Sequence, residues 1–295
     1  MNRRQQTIAG YVCILPAILG LLLFTAFPML YSLYLSFTDW NVLTPAKWIG
    51  LDNYVRIFTK DFYFVQSLKV TTMYAVGSVL TSIVYAFAVA LILNANIKGR
   101  PLFRALFYLP YIVPVLATSM IWIWLFDIDF GLINHMLGWL DIPKQKWINS
   151  ASSAVWSLIL VNLWASGNVI VIFLAGLQDL PKHQLEAVEI DGGNYWHKLT
   201  KVMLPLMTPI FFFNIVLGLI GSFTAFTQVF AMTSGGPANA TLFYVFYIFR
   251  EGFENQQMGY ACALGWVLFV IVSALTLLIF RTSSKWVHYE GGRAG

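Results

Sequence analysis

Charge is what this sequence has least of. Only 11% of its 295 residues are Asp, Glu, Lys or Arg, against about 25% in an ordinary soluble domain. Hydrophobic residues make up 59%, aromatics 17%, and the mean hydropathy is +0.71. A soluble domain is excluded and an integral membrane protein is indicated. Cysteine is almost missing too: Cys13 and Cys262 lie in apolar runs without a CxxC partner. No disulfide framework or zinc site is expected, and each reads as a small buried hydrophobe. No GxxxxGK[ST] phosphate loop occurs, so the chain cannot cradle ATP phosphates in the Walker manner. The four histidines, His135, His183, His197 and His288, are scattered through polar loops and the tail without an HxxxH neighbour. No metal, no cofactor and no enzymatic activity is expected of this chain. The net charge of +5 is spread in ones and twos between apolar runs, which gives no nucleic-acid patch.

What is present is a series of apolar runs at about residues 8–37, 67–95, 105–126, 154–177, 206–232 and 259–280. Each is near or above the roughly 20 residues that cross a bilayer as a helix. The expected fold is therefore all-α, one transmembrane domain over residues 1–295 with six spans. The first run is too long for a signal peptide and has no small-x-small cleavage site, so it reads as an uncleaved span, bent near Pro16 or Pro28. Pro110 and Pro114 should break the third, and Gly235-Gly236-Pro237 should turn the chain after the fifth. The loop 38–66 holds Trp40, Trp48, Tyr54 and Phe58, suited to an interface, and has room for a short amphipathic helix. Six crossings put both termini on one side. The tails with the second and fourth loops hold eleven Lys and Arg, the other loops seven. The richer side is cytoplasmic by the positive-inside rule. Both termini and the loop 178–205, between spans four and five, are thus predicted to be cytoplasmic.

The spans are nearly free of ionisable residues, with Lys69 only at an edge. An ion-coupled secondary carrier would place a group that changes charge at membrane depth. That alternative is disfavoured, although sodium held by backbone carbonyls escapes the test. Span five instead carries Asn214, Gly218, Gly221, Ser222, Ala225 and Gln228 on one helical stripe. Two readings fit: a path for a hydroxylated solute, or a face along which a neighbouring helix packs closely. Asn162, Trp164 and Asn168 in span four, and Trp122 and Trp124 in span three, add amides and aromatic faces of the kind sugars use. Of the tryptophans only Trp164 is deep; the others also suit interfacial anchoring.

One charged island interrupts this pattern. Glu186, Glu189, Asp191, His197, Lys198 and Lys201 fall within sixteen residues. A helix through Ile190, a turn at Gly192-Gly193 and a new helix or bend at Pro205 and Pro209 are predicted. Glu186-Ala187, Gly192 six residues on, and Leu204-Pro205 about a dozen residues later resemble the "EAA" loop of bacterial ABC-importer permeases. Ile190-Asp191-Gly192 and Leu204-Pro205-Leu206 look most like the sugar-importer branch. Val188 stands where that pattern usually has a second Ala, and Gly193 where it usually has Ala.

The resemblance implies a permease subunit in a bacterial inner (cytoplasmic) membrane. It implies import of a sugar or oligosaccharide, or alternatively of glycerol phosphate or another polyol. Its partners would be a second homologous permease forming a heterodimer, two ATPase subunits that hold ATP and Mg, and an extracytoplasmic solute-binding protein. Glu186, Ala187, Val188, Asp191, Gly192, Leu204 and Pro205 would then couple the spans to the ATPase. Ala187 and Val188 would supply a packing face, Glu186 an ionic or capping contact and Gly192 a pivot. The plain alternative is an amphipathic connector lying on the membrane surface.

Overall fold

A computed structural model describes residues 3–287, with side chains at residue 7 and from residue 11 onward. Arg3 and Arg4 of the charge count have no described side chains, and His288 and Arg293 lie outside the described residues. The protein is mostly helical. It divides into two compact units: the chain up to Phe64 with Tyr247–Val270, and Val65–Phe246 with the chain from Ile271 on.

Among the described residues, three helices are long and apolar enough to cross a membrane unbroken: Tyr11–Ser36, Phe62–Asn94 and Met258–Ser283. Three more candidate spans are bent pairs. Arg100–Ile112 meets Val115–Leu125 at 98°, Ala154–Trp164 meets Gly167–Asp179 at 48°, and Tyr195–Leu206 meets Thr208–Phe223 at 59°. Up to six crossings result if each pair is one span.

The bends have local causes. Val113 takes extended angles (φ −68°, ψ 130°) because Pro114 follows it, whereas Pro110 stays inside its helix and breaks nothing. At the second bend the Ser166 hydroxyl donates to the Leu163 carbonyl at 2.6 Å, filling a group the helix end leaves open. At the third, Pro209 has no N–H for the Pro205 carbonyl, and the Thr208 hydroxyl donates to it instead at 2.7 Å.

Several expected boundaries move. The second span starts at Phe62 rather than 67. The third starts at Arg100, so Arg100 and Arg104 belong to a helix and not to the preceding loop. The fifth ends at Phe223, and a separate helix, Thr227–Met232, follows the break. The first span is not broken at its prolines. It widens into a π-helical turn at Leu22–Ala26, two residues ahead of Pro28. A second π turn, Leu199–Met203, likewise precedes Pro205 by two. In each the wider turn falls where proline removes a donor. Cys13, expected to be buried, is exposed, because the most apolar stretch of Tyr11–Ser36 has no residue buried within the chain.

In the first unit, Thr38 pairs with Trp48 and Asp39 with Lys47 in a two-residue antiparallel ladder. The anticipated amphipathic helix is Asp52–Thr59, which buries Asn53 and Ile57. Asn53 donates to the carbonyls of Ser36 and Thr38 at 2.9 and 3.0 Å. Asp61 caps Phe62–Asn94 by accepting the N–H groups of Tyr63 and Phe64, and its other oxygen accepts the hydroxyls of Tyr247 and Tyr260.

The second unit holds the main core. Val79, Ala86, Leu93, Phe173, Leu177 and Met207 are among its buried members. Leu199, Met203 and Met207, four apart and so on one helical face, carry the stretch after the charged island into that core.

Candidate functional site

A cavity of about 490 Å³ opens in the second unit, within the roughly 300–1,000 Å³ of ordinary ligand sites. All three bent pairs reach it: Pro110, Val113 and Thr118 from the first, Asn162, Ser166 and Asn168 from the second, and Asn214, Gly221 and Ser222 from the third. Phe62–Asn94 adds Tyr74, Ser78 and Ser82, and the segment after Phe223 adds Phe226 and Gln228. Among the described residues, the lining contains no Asp, Glu, Lys, Arg or His.

Its polar groups form a wall of paired hydroxyls and amides. The Tyr74 hydroxyl donates to Gln228 Oε1 at 3.1 Å, and Gln228 Nε2 donates to the Leu158 carbonyl at 3.0 Å. Ser78 and Ser222 share a hydrogen bond of 3.0 Å, and Asn162 Nδ2 donates to the Ser82 hydroxyl at 3.2 Å. Asn214 turns Nδ2 back onto the Ile210 carbonyl at 2.9 Å. These bonds leave acceptor capacity on Asn162 and Asn214. Asn168 lines the cavity with no side-chain partner among the described residues.

The stripe on span five divides, residue by residue, between close helix packing and open space. A Cβ at Gly218 would lie 3.1 Å from Val79, whereas a Cβ at Gly221 would meet nothing within 4 Å. Gly218 therefore lets two helices approach, and Gly221 borders open space. Five of the six residues expected along a path, Asn162, Asn168, Asn214, Ser222 and Gln228, line the cavity. Trp164 does not: it packs edge-on against Trp122 at 5.8 Å. The aromatic rings of the lining are Tyr74, Tyr111 and Phe226, which the sequence reading passed over. Tyr111 follows a proline near a bend and Phe226 sits in the break after Phe223. Those irregularities were the available signal.

The charged island folds as helix Lys182–Ile190, a turn, then Tyr195–Lys198 running on through the π turn. Gly192 has φ +75°, a left-handed conformation that suits glycine. Its N–H donates to the Glu189 carbonyl at 3.0 Å and the Gly193 N–H to that of Val188 at 2.8 Å, a Schellman closure. A Cβ on Gly193 would fall 2.5 Å from Val188 Cγ1 and 2.8 Å from the Val188 carbonyl. The two departures from the EAA pattern thus touch, and a Val at one position favours a Gly at the other.

Asn194 caps the following helix in a reciprocal box. Its side chain accepts the His197 N–H at 3.1 Å, and His197 Nδ1 accepts the Asn194 N–H at 3.4 Å. Lys198 pairs with Glu189 across the turn. Glu186, Ala187 and Asp191 are exposed, Val188, Leu204 and Pro205 half-buried. Beside them Ile190 is 86% and Trp196 68% exposed, with Tyr195 also open. This apolar patch in a polar segment was not singled out from the sequence, although adjacent Tyr195-Trp196 marks it.

The aligned relatives cover nearly the whole chain. The Bacillus subtilis protein "Probable ABC transporter permease protein YesP" is 44% identical over 97% of this chain and 94% of its own. The Streptococcus mutans "Multiple sugar-binding transport system permease protein MsmF" is 32% identical over 92% of this chain and 93% of its own. Among solved structures, a chain of a bacterial alginate ABC transporter in complex with an alginate pentasaccharide-bound periplasmic protein superposes with a TM-score of 0.83. It covers 95% of both chains at 21% identity, so the permease fold is shared. Residues 78–287, which contain the charged turn and every cavity-lining residue except Tyr74, match the family model described as "Binding-protein-dependent transport system inner membrane component", and this chain belongs to that family.

Proposed function

We propose that this chain is a membrane-spanning permease subunit of an ATP-driven importer, and that its cargo is an uncharged sugar or oligosaccharide delivered by a solute-binding protein. The cavity carries the reading. Hydroxyls and amides set among Tyr74, Tyr111 and Phe226 suit a ligand with both hydroxyls and apolar C–H faces. A glycerol phosphate would call for Arg or Lys in the lining, where there is neither. The sugar named for MsmF supports the same class.

In this reading all six apolar segments cross a bacterial inner membrane, with the termini and Lys182–Ile190 in the cytoplasm. The exposed Glu186–Ala187 face and the Ile190, Tyr195 and Trp196 patch dock on an ATPase subunit that binds ATP and Mg. Gly192 is the pivot of that lever. Leu199, Met203 and Met207 anchor its far arm in the core, so a push on the lever reaches the bend at Met207 and the cavity beyond it. A second permease, a second ATPase subunit and the binding protein complete the assembly.

The test is uptake by proteoliposomes containing this chain and its co-expressed partners, with the loaded binding protein outside and ATP inside. A neutral oligosaccharide should accumulate only with both present. Asn168→Leu, which removes a free amide from the cavity, should raise the half-saturating concentration about tenfold, the worth of one lost hydrogen bond to the ligand, while leaving basal ATP hydrolysis unchanged. Uptake by this chain alone under an ion gradient would instead establish an ion-coupled carrier.

A further inference from the structure

A second cavity in the Val65–Phe246 unit has a composition unlike the first. It is about 200 Å³ and lined by Leu93, Phe107, Tyr108, Leu174, Gln178 and the side chain of Arg104, among others. Arg104 stands four residues into Arg100–Ile112, roughly 6 Å along its axis at 1.5 Å per residue. Its Nε and Nη2 are buried and have no hydrogen-bond partner among the described residues. Buried guanidinium N–H groups left unpaired are costly, and this fork ordinarily meets a carboxylate or phosphate in bidentate fashion.

No acidic side chain among the described residues lines the cavity. The neighbouring Arg100 is already engaged, donating from Nη2 to the carbonyls of Asn94 and Ala95 at 3.1 and 2.8 Å. One edge of the cavity is closed at Gly167, where a Cβ would lie 2.6 Å from the Phe107 carbonyl, so the two helices meet there backbone to backbone. Most of the remaining wall is hydrocarbon. On the same helix, Leu102, Phe103, Leu106 and Leu109 are exposed and apolar.

We propose that this cavity seats the phosphate of an anionic phospholipid on Arg104 Nε and Nη2, with the acyl chains running along the exposed apolar side chains of Arg100–Ile112. A cation that reaches back from the first turns of a span toward the headgroup level suits this position. The apolar walls favour a phosphate that carries acyl chains over one that is free in solution. This assignment is independent of the cargo.

The experiment uses the assembled transporter in nanodiscs of phosphatidylcholine with or without phosphatidylglycerol, with bound lipid counted by native mass spectrometry. Wild-type protein should retain phosphatidylglycerol in preference to phosphatidylcholine. Arg104→Gln should weaken that retention about tenfold or more, and Arg104→Lys, a point charge without the fork, should fall between. Lys98→Gln, which removes a nearby exposed cation, should retain lipid as the wild type does. In lipid-free detergent, phosphatidylglycerol should raise the melting temperature and inorganic phosphate should not. Equal retention by Arg104→Gln, equal retention of phosphatidylcholine, or the same stabilisation by phosphate alone would overturn the proposal. So would an acidic side chain of a partner subunit cross-linked at position 104. If Arg104→Gln fails to assemble, photoactivatable phosphatidylglycerol decides the matter in wild-type protein: adducts on residues 100–112 or 167–178 support the site, and adducts only elsewhere refute it.

Discussion

The straight helices and the bent pairs differ in what they leave free. Tyr11–Ser36 and Met258–Ser283 run as continuous helical ladders, the first widened at the π turn ahead of Pro28, and each is long and apolar enough to cross a bilayer. The pairs that bend at Pro114, Ser166 and Met207 interrupt that ladder, and side-chain hydroxyls fill in at Ser166 and Thr208. Irregular backbone is tolerated at membrane depth only when buried in protein or lining a cavity. Here the cavity lining comes from all three bent pairs and from Phe62–Asn94. Breaks, more than apolar length, mark most of the helices that line the cavity.

The comparison can be broken first at the lever leading into the third pair. Gly192→Pro places a residue fixed near φ −65° where the backbone needs +75°, and Glu186→Lys reverses the charge on the exposed face. With a coupling energy of about 1–3 kcal/mol, uptake should fall roughly 5- to 150-fold while the protein still inserts and its partners still hydrolyse ATP. Normal uptake in either variant would remove Lys182–Ile190 from the coupling path.

A second test separates the two uses of small residues on Thr208–Phe223. Gly221→Leu enters open space and should block uptake with little change in melting temperature. Gly218→Leu drives into Val79 and should cost about 1–3 kcal/mol of stability through overpacking. Thermal unfolding and uptake measured on both variants would show the opposite pattern if Gly221 were the packing residue.

The smallest effect concerns the turn. Gly193→Ala should cost more beside Val188 than in a Val188→Ala background, by roughly 0.5 kcal/mol or more of coupling energy in a double-mutant cycle. The rescue should be partial, since the Val188 carbonyl remains 2.8 Å from the added methyl. Strict additivity would show that the two departures from the EAA pattern are unrelated.

The six apolar segments were legible because hydrocarbon length is written directly in residue count. Of the breaks, Pro114 announced itself through the pre-proline restriction, and Pro205 and Pro209 marked the bend that falls between them at Met207. Ala165-Ser166 contains no breaker, so the bend there was not legible, and the Ser166 hydroxyl fills the Leu163 carbonyl that it leaves open. The Asn214 to Gln228 stripe was readable from helical spacing even though the helix stops at Phe223, because Ala225 and Gln228 beyond the break still line the cavity. Trp164 was overvalued because depth along a span says nothing about which neighbour the ring meets, and Trp122 takes it. The cap at Asn194 went unread because its partner three residues on is His197 rather than the usual Glu or Gln.

The central claim is that the space between the bent helices conducts the cargo. In a background with Cys13→Ala and Cys262→Ala, Ser222→Cys places a thiol in the cavity lining and Leu22→Cys places one on the exposed face of Tyr11–Ser36. A polar, membrane-impermeant thiol reagent, applied to the assembled transporter while it turns over ATP, should modify Ser222→Cys and not Leu22→Cys. The delivered sugar should slow that modification about tenfold at saturation. A Ser222→Cys thiol that is never modified, or is modified at one rate with and without sugar, would contradict the account.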